Sequence, residues 1–227
     1  MGTATKGRTA MTILFNVNTR SAYEAGGYAG SHRIEDLLKH GDFGLGALHE
    51  NDGDLVIVGG SAYRTSFEGA TEELTADATS SYATVIPFTV DRSFEVAGPL
   101  GREQFEEMLA GLVPLADRIW AVRIRGVFTQ VVSGASRAQA RPYRPLAEVL
   151  PTYNFQCHVD TAGTMVGFHS PASFTGVGVV GPHYHWLSDD HGQGGHVTRF
   201  VIDHAVVELC EADAFAFELP AAGRSVS

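Results

Sequence analysis

The sequence predicts a strand-dominated α+β protein. Short segments in which apolar and polar residues alternate, the pattern of half-buried strands, recur along most of the chain. Glycine, proline, asparagine and aspartate separate these segments at short intervals, as turns between strands require. Helical spacing of apolar residues is clear only between Pro99 and Pro114. The three observations together predict one main helix and many strands.

Composition limits the classes of partner. The 227 residues, 44% of them hydrophobic, suffice for one domain with a sizeable core. Sixteen basic and 26 acidic residues give a net charge of −10, which disfavours nucleic acids and anionic membranes because these polyanions attract positive charge. No apolar run approaches the roughly 20 residues of a membrane span and no signal peptide pattern opens the chain, so a cytoplasmic location is expected. Cys157 and Cys210 lie in apolar, strand-like runs and are expected to be buried free thiols.

The first part of the chain, residues 11–140, is predicted to form a mixed sheet. Asp52-Gly53 is the signal of a tight hairpin turn, and the glycines from Gly41 to Gly46 indicate a turn or a close approach of two backbones. Residues 68–81 are small and polar and are expected to form a loop. The predicted strands are residues 11–17, 55–58, 62–65, 83–90, 93–97 and 118–132.

Two helices are expected among these strands. Residues 34–38 suggest a short one. In the other, Phe105, Met108, Leu109 and Leu112 share one face while glutamates occupy the opposite face, which is the pattern of an amphipathic helix packed on a core.

The second part, residues 141–220, is predicted to be a closed or half-closed β structure. Two prolines interrupt regular structure at residues 141–145 and mark a possible seam, so we expect one domain built of two packed halves. The predicted strands are residues 155–160, 165–169, 176–180, 197–207 and 214–219, together with the segment from Gly181 onwards.

A metal site is predicted in the second part, where four of the ten histidines are close together. On a strand, His183 and His185 project to the same face with Cα atoms about 6.6 Å apart. A turn containing Asp189, Asp190 and His191 follows, and His196 opens the return strand. A hairpin therefore brings His196 back beside the pair. Asp189, Asp190 and His191 are more simply interpreted as turn residues.

Three neutral imidazoles favour zinc with an open fourth position, the usual arrangement of a catalytic site. They also suit iron, nickel or copper. A His-x-His pair on a strand occurs in cupins as well, but cupins usually carry a glycine six residues earlier and a glutamate after the pair. This chain has Val177 and Asp189 instead, which disfavours that interpretation.

A series of motifs extends from about Leu14 to Pro220 in a fixed order. The motifs are Gly41-Asp42-Phe43-Gly44-Leu45-Gly46 with Asp52-Gly53, Arg123-Ile124 with Gly126 and Phe128, Gln139, Pro142-Tyr143, Gly163-Thr164 with Gly167-Phe168, Pro171, and His183-x-His185 with Gly194-Gly195-His196. In order and spacing they resemble the bacterial alpha-acetolactate decarboxylases. The resemblance implies an N-terminal mixed sheet with a C-terminal β-barrel-like part, a homodimer, and zinc held by His183, His185 and His196.

The resemblance also implies an activity. In that family, zinc binds the hydroxyl and keto oxygens of 2-acetolactate, loss of CO₂ leaves an enediolate, and protonation gives acetoin. A fixed cation stabilises the developing negative charge. A carboxylic acid is needed to move the proton, and a cationic side chain to hold the substrate carboxylate.

The sequence departs from the family at the residues with these last two roles. The family's glutamate after Asp-Gly is Asp54 here, one methylene shorter. A gapless alignment puts Gly134 in place of the active-site arginine, and a glycine offers no charge. Arg137 could replace that arginine if residues 133–136 bulge; Arg125 and Arg141 are further cations that could do so. The tail that supplies another glutamate in the family has no counterpart beyond Pro220.

Three functions are therefore consistent with the sequence. The first is a zinc-dependent decarboxylase of a 2-hydroxy-3-oxo acid, with Asp54 as acid and base and Arg137 or Arg125 on the carboxylate. The second is a diverged biosynthetic zinc enzyme that isomerises, cyclises or eliminates on another carbonyl substrate. The third is a metal-bound protein without catalytic activity. The partner expected in every case is a small carbonyl compound or oxo acid.

Overall fold

The computed structural model describes residues 3–4 and 10–219, and within them the chain forms two sheets. The expectation that the family's C-terminal tail has no counterpart beyond Pro220 concerns residues outside the described ones. The strands, numbered along the chain, are β1 (Thr3–Ala4), β2 (Ile13–Val17), β3 (His32–Arg33), β4 (Phe43–Leu48), β5 (Asp54–Val58), β6 (Ser61–Thr65), β7 (Thr71–Glu73), β8 (Thr79–Ile86), β9 (Arg92–Gly101), β10 (Trp120–Ala135), β11 (Asn154–Ser170), β12 (Gly181–Ser188), β13 (Gly194–Glu211) and β14 (Ala214–Glu218).

The helices are few, as the sequence predicts. Four α-helices are described, namely α1 (Arg20–Glu24), α2 (Ile34–Leu37), α3 (Arg102–Leu112) and α4 (Leu146–Val149). Helix α3 is the predicted amphipathic helix, and it buries Phe105 and Leu109. Short 3-10 turns occupy His49–Asn51, Leu150–Thr152 and Ala172–Phe174. None of the described helices is long and apolar enough to cross a membrane.

The first sheet is mixed, as predicted. Its eight strands follow the order β14-β2-β8-β4-β5-β6-β7, with β3 paired to β8. The pair β14–β2 is parallel and the others are antiparallel. Gly46 on β4 needs to be a glycine because a Cβ there would lie 2.1 Å from the Tyr82 carbonyl oxygen. This is the close backbone approach that the glycine-rich segment predicts.

The second sheet closes on itself. Its order is β1-β9-β13-β10-β11-β12, and the first residues of β13 pair additionally with β12. Strands β10, β11, β12 and β13 therefore form a ring, the β-barrel-like part that the sequence predicts. Its interior contains Trp120, Phe128, Trp186 and Phe200, which are essentially inaccessible to solvent.

The chain divides between the sheets differently from the predicted halves. The two sheets separate between Ile86 and Arg92 rather than at residues 141–145, because β9 and β10 pair with β13. The last strand, β14, returns to the first sheet beside β2. Each sheet therefore contains residues from both predicted halves. That the whole chain is one domain stays a prediction.

Three local predictions were wrong. Residues 68–81 contain β7 and the start of β8 rather than a loop only. Residues 176–180 form a turn instead of a strand, since Gly176 has φ +81° and the N–H groups of Val177 and Gly178 donate back to Phe174. Cys157 is exposed on β11, whereas Cys210 is buried as expected, and neither forms a disulfide.

Candidate active site

Three histidines converge where the two sheets meet. His183 and His185 lie on β12, and register pairs His185 with His196 at the start of β13. All three can offer one ring nitrogen such that these nitrogens lie within 4.8 Å of one another. The His-x-His spacing and the hairpin therefore produce the cluster that the sequence predicts.

The three imidazoles are oriented for binding a metal ion. The Nδ1 of His185 lies 2.9 Å from the Leu55 carbonyl oxygen on β5, to which it can donate, leaving Nε2 with a free lone pair. The Nε2 of His183 lies 3.2 Å from Nδ1 of His196. Two nitrogens on one tetrahedral zinc are about 3.3 Å apart, because each Zn–N bond is about 2.0–2.1 Å. The donor set thus fits one zinc ion.

Burial keeps these rings neutral, the form that binds metals. It lowers the pKa of His185 to about 3 and, aided by the charges of Arg102 and Arg20, the pKa of His196 to about 4. The pKa of His183 is also well below its usual value, first through burial and then through the neighbouring histidines. Protons therefore compete weakly for this site near neutral pH.

Asp54 stands beside the histidines at the start of β5. Its Oδ1 is 3.6 Å from Nε2 of His185, and its Oδ2 is buried without a hydrogen-bond partner among the described residues. The side chain is almost fully buried, which raises the pKa of Asp54 well above its usual range; a backbone hydrogen bond from Ser136 opposes the shift. A carboxyl group of this kind can carry a proton at neutral pH.

A cavity of about 200 Å³ opens in front of these side chains. Pockets for drug-sized ligands have roughly 300–1,000 Å³, so this one suits a small molecule. Its wall combines polar and apolar side chains, and the polar ones include those of Arg20, Tyr23, Asp54, Arg102, Tyr153 and the three histidines.

Tyrosine hydroxyls line part of the wall and stay protonated. Burial raises the pKa of both Tyr23 and Tyr153 well above the usual value. The Tyr23 hydroxyl donates to Oδ1 of Asn51 at 2.6 Å. The Tyr153 ring meets the His196 ring edge to face, with centroids 6.3 Å apart. These residues shape the cavity without adding charge.

The two arginines proposed from the sequence lie outside the cavity. A register shift between Val132 and Ser133 does bulge β10, but Arg137 then stacks on Phe67, 4.2 Å from the ring centroid, with its side chain 67% exposed. Arg125 lies along β10 and pairs with Glu208 at 3.2 Å. Neither lines the cavity beside the histidines. Arg141, the third candidate, is also exposed, next to Tyr143.

Gly134 shares a sheet face with the histidines. It pairs with His196 on one side and with Phe155 on the other. A Cβ at this position would lie 2.5 Å from the Asn154 carbonyl oxygen and 2.8 Å from the Phe155 ring. The position expected to carry an arginine thus faces the site, but the backbone and Phe155 leave no room for a side chain.

Two arginines that the sequence interpretation missed do line the cavity. Arg20 is the first residue of α1, and Arg102 is the first residue of α3. Thr19, whose Oγ1 accepts a hydrogen bond from the Ala22 N–H, is a helix N-cap and the one local signal for α1. Five helical residues are too few for a periodic pattern, so nothing local indicates that Arg20 faces the histidines.

The turn between β12 and β13 has a structural role, as predicted. Oδ1 of Asp190 accepts hydrogen bonds from the Ser188 hydroxyl and the Gly192 N–H. His191 has φ +57° and is exposed, with its ring 4.7 Å from that of Tyr63. These residues fix the hairpin and do not line the cavity.

Comparison with known proteins places the chain in a family. The alpha-acetolactate decarboxylase family profile matches residues 14–225. The alpha-acetolactate decarboxylase of Lactococcus lactis subsp. lactis is 33% identical over 218 residues, 95% of this chain and 91% of that protein. The Bacillus subtilis enzyme of the same name is 29% identical, over 91% of this chain and 81% of its own length.

A solved structure agrees with this match. The crystal structure of alpha-acetolactate decarboxylase from Bacillus subtilis strain 168 superposes with a TM-score of 0.89 at 28% identity, covering 92% of this chain and 89% of the other. The strand-dominated α+β fold predicted from the sequence is thereby confirmed.

Proposed function

The chain belongs to the alpha-acetolactate decarboxylase family, a family of carboxy-lyases, and from this we propose that it is a zinc-dependent decarboxylase of a 2-hydroxy-3-oxo acid such as 2-acetolactate. The observation that carries the proposal is the cluster of three neutral imidazoles with a buried carboxyl group beside it, inside a cavity sized for a small molecule.

His183, His185 and His196 are the residues that would hold the metal. A zinc ion bound there would supply a Lewis acid able to stabilise negative charge that develops on a substrate oxygen. The Leu55 carbonyl oxygen fixes the ring of His185 and its tautomer, so the ligand geometry is set before substrate enters.

Asp54 is proposed as the acid and base. Decarboxylation breaks the bond between the carboxylate carbon and the carbinol carbon and leaves its electron pair on the larger fragment. One proton must then reach a carbon of that fragment to give acetoin, so one proton is consumed for each CO₂ released. Oδ2 of Asp54 has no other described partner and can hold that proton at the cavity wall.

The proposal is tested by acetoin release from racemic 2-acetolactate. Purified protein is assayed as isolated, after treatment with a chelator, and after zinc is restored. We expect acetoin to form, to stop with chelator and to return with zinc, because the charge stabilisation comes from the metal. A protein that forms no metal-dependent acetoin would contradict the proposal.

The lack of a side chain at Gly134 favours a second candidate function, with a different carbonyl substrate. The position expected to bear an arginine has no side chain, so the carboxylate of acetolactate is not held from there. An enzyme that forms an enolate on another carbonyl substrate, and isomerises, cyclises or eliminates it, would use the same histidines. A metal-loaded protein inactive on acetolactate would favour this function.

Two further properties of the protein are proposed. A homodimer is expected, and sedimentation equilibrium of the purified chain measures it directly. A cytoplasmic location is expected as well, and cell fractionation tests it.

A further inference from the structure

Two cations face the cavity, but they are not equivalent. Arg102 donates from Nε to Glu106 at 2.7 Å and from its Nη groups to the carbonyl oxygens of Val197, Thr198 and Pro182. Its donors thus tie α3 to β12 and β13. Arg102 therefore contributes charge and holds the wall together, with little capacity left for a ligand.

Arg20 has free donors. Its side chain makes one hydrogen bond to the described residues, from Nε to Oε1 of Glu24 at 2.7 Å, so both Nη groups remain available. Its side chain is 21% exposed and lines the same cavity as His183 and His196. A planar guanidinium with two free amino groups is suited to bind a carboxylate through two parallel hydrogen bonds.

The backbone holds Arg20 in this place. Its N–H donates to the Val177 carbonyl oxygen at 2.9 Å, and the next N–H, that of Ser21, donates to Gly176 at 3.1 Å. Helix α1 is thereby anchored to the turn that leads into β12. The turn at Gly176 and Val177 therefore connects Arg20 to β12, the strand that carries two of the histidines.

The charge of the cavity calls for an anion. The lining contains two arginines, three histidines and one acid, Asp54, whose side chain is buried. The glutamates that pair with the arginines, Glu24 and Glu106, do not line the cavity. A divalent cation at the histidines adds further positive charge. The positive potential of the cavity therefore attracts a small carboxylate more strongly than a neutral carbonyl compound.

We propose that Arg20, from the first turn of α1, binds the substrate carboxylate and so takes the role for which Gly134 leaves no side chain. The inference rests on the proposed function for the metal, and it narrows the substrates to small acids whose carboxylate lies opposite the histidines. In this proposal the cation is supplied by α1 rather than by β10.

The test separates anion binding from turnover. Zinc-loaded protein is titrated by calorimetry with 2,3-dihydroxy-2-methylbutanoate, which cannot decarboxylate as a 2-hydroxy-3-oxo acid does, and with the corresponding primary amide, which has the same shape and no charge. The variants are Arg20→Gln, Arg20→Lys and, as a matched control, Arg33→Gln. Arg33 is a half-exposed arginine paired with Glu35 at 2.8 Å, outside the cavity.

We expect wild type and Arg33→Gln to bind the acid about 10- to 100-fold more tightly than the amide, the usual range for a charged hydrogen-bonded pair. Arg20→Gln should lose most of this preference, the remainder coming from Arg102 and the metal, and Arg20→Lys should keep more of it as a point charge. If acetoin is formed, KM for acetolactate should rise by a similar factor in Arg20→Gln with a smaller change in kcat.

Failure of this inference differs from failure of the proposed function. Wild type that does not prefer the acid, or Arg20→Gln that retains the preference while its melting temperature matches that of Arg33→Gln, overturns the role of Arg20 even if acetoin is formed. An acid preference that depends on Arg20 supports the role even in a protein that forms no acetoin.

Discussion

The two walls of the cavity are built differently. The histidine wall, formed by His183, His185 and His196, lies on paired strands, and sheet register fixes its rings. The arginine wall, formed by Arg20 and Arg102, lies on the first residues of two helices. The histidines are neutral and the arginines charged and partly exposed. The position of the metal is therefore set by the sheet, while the position of the anion site depends on how the helices pack.

The histidines and the arginines should therefore tolerate sequence change to different extents. A ligand set on strands in register tolerates few changes, since a slip of one residue turns every side chain to the opposite face. A cation on a helix end can be replaced by one from another element that reaches the same space. The glycine at position 134 and the presence of Arg20 on α1 fit this contrast.

Asp54, at the edge of the histidine wall, gives the largest expected effect of substitution on turnover. Asp54→Asn keeps the shape of the side chain but cannot release a proton. We expect kcat for acetoin formation to fall by about 10²- to 10⁴-fold with a small change in KM, as for loss of a general acid. Steady-state kinetics on the zinc-loaded variant measure this.

Asp54→Glu is the companion variant. It restores the acid with one more methylene and should recover part of kcat. Unfolding temperatures near that of the wild type would show that Asp54→Asn is folded, since the buried side chain could otherwise destabilise the site. Wild-type kcat in a folded Asp54→Asn protein would exclude Asp54 as the acid.

The smallest effects are expected at the arginines outside both walls. Arg137 is exposed on Phe67 and Arg125 pairs with Glu208 on the sheet. Arg137→Ala and Arg125→Ala should each change KM and kcat less than about twofold, and stability by less than about 1 kcal/mol, as for surface ion pairs. A large rise in KM in either variant would mean that this residue, rather than Arg20, reaches the substrate.

The histidine wall could be predicted from the sequence because it depends on local rules. Alternation along a strand puts His183 and His185 on one face, and a turn rich in Asp and Gly returns His196 beside them. The main helix, the hairpin at Asp52-Gly53 and the closing of the second sheet follow from similar local patterns and from the family resemblance.

The arginine wall could not be predicted in this way. Contact between Arg20 and the cavity depends on the packing of α1 on the turn at Gly176 and Val177, far along the chain. That turn was itself predicted to be a strand, because its valines suit one and the left-handed conformation of Gly176 is not visible in the sequence. Arg137 is close to Gly134 in the sequence, but its side chain lies beside Phe67, outside the cavity that contains the histidines.

Metal content tests the central claim most directly. Untagged protein, purified without chelator, is analysed for bound metal by mass spectrometry, beside His185→Ala and the control His191→Ala on the exposed turn. We predict about one zinc ion per chain in wild type and His191→Ala. His185→Ala should contain less than about one-tenth of a zinc ion per chain, because one of the three metal ligands is lost. Wild-type protein without metal, or His185→Ala with an unchanged content, would contradict a metal centre at these three histidines.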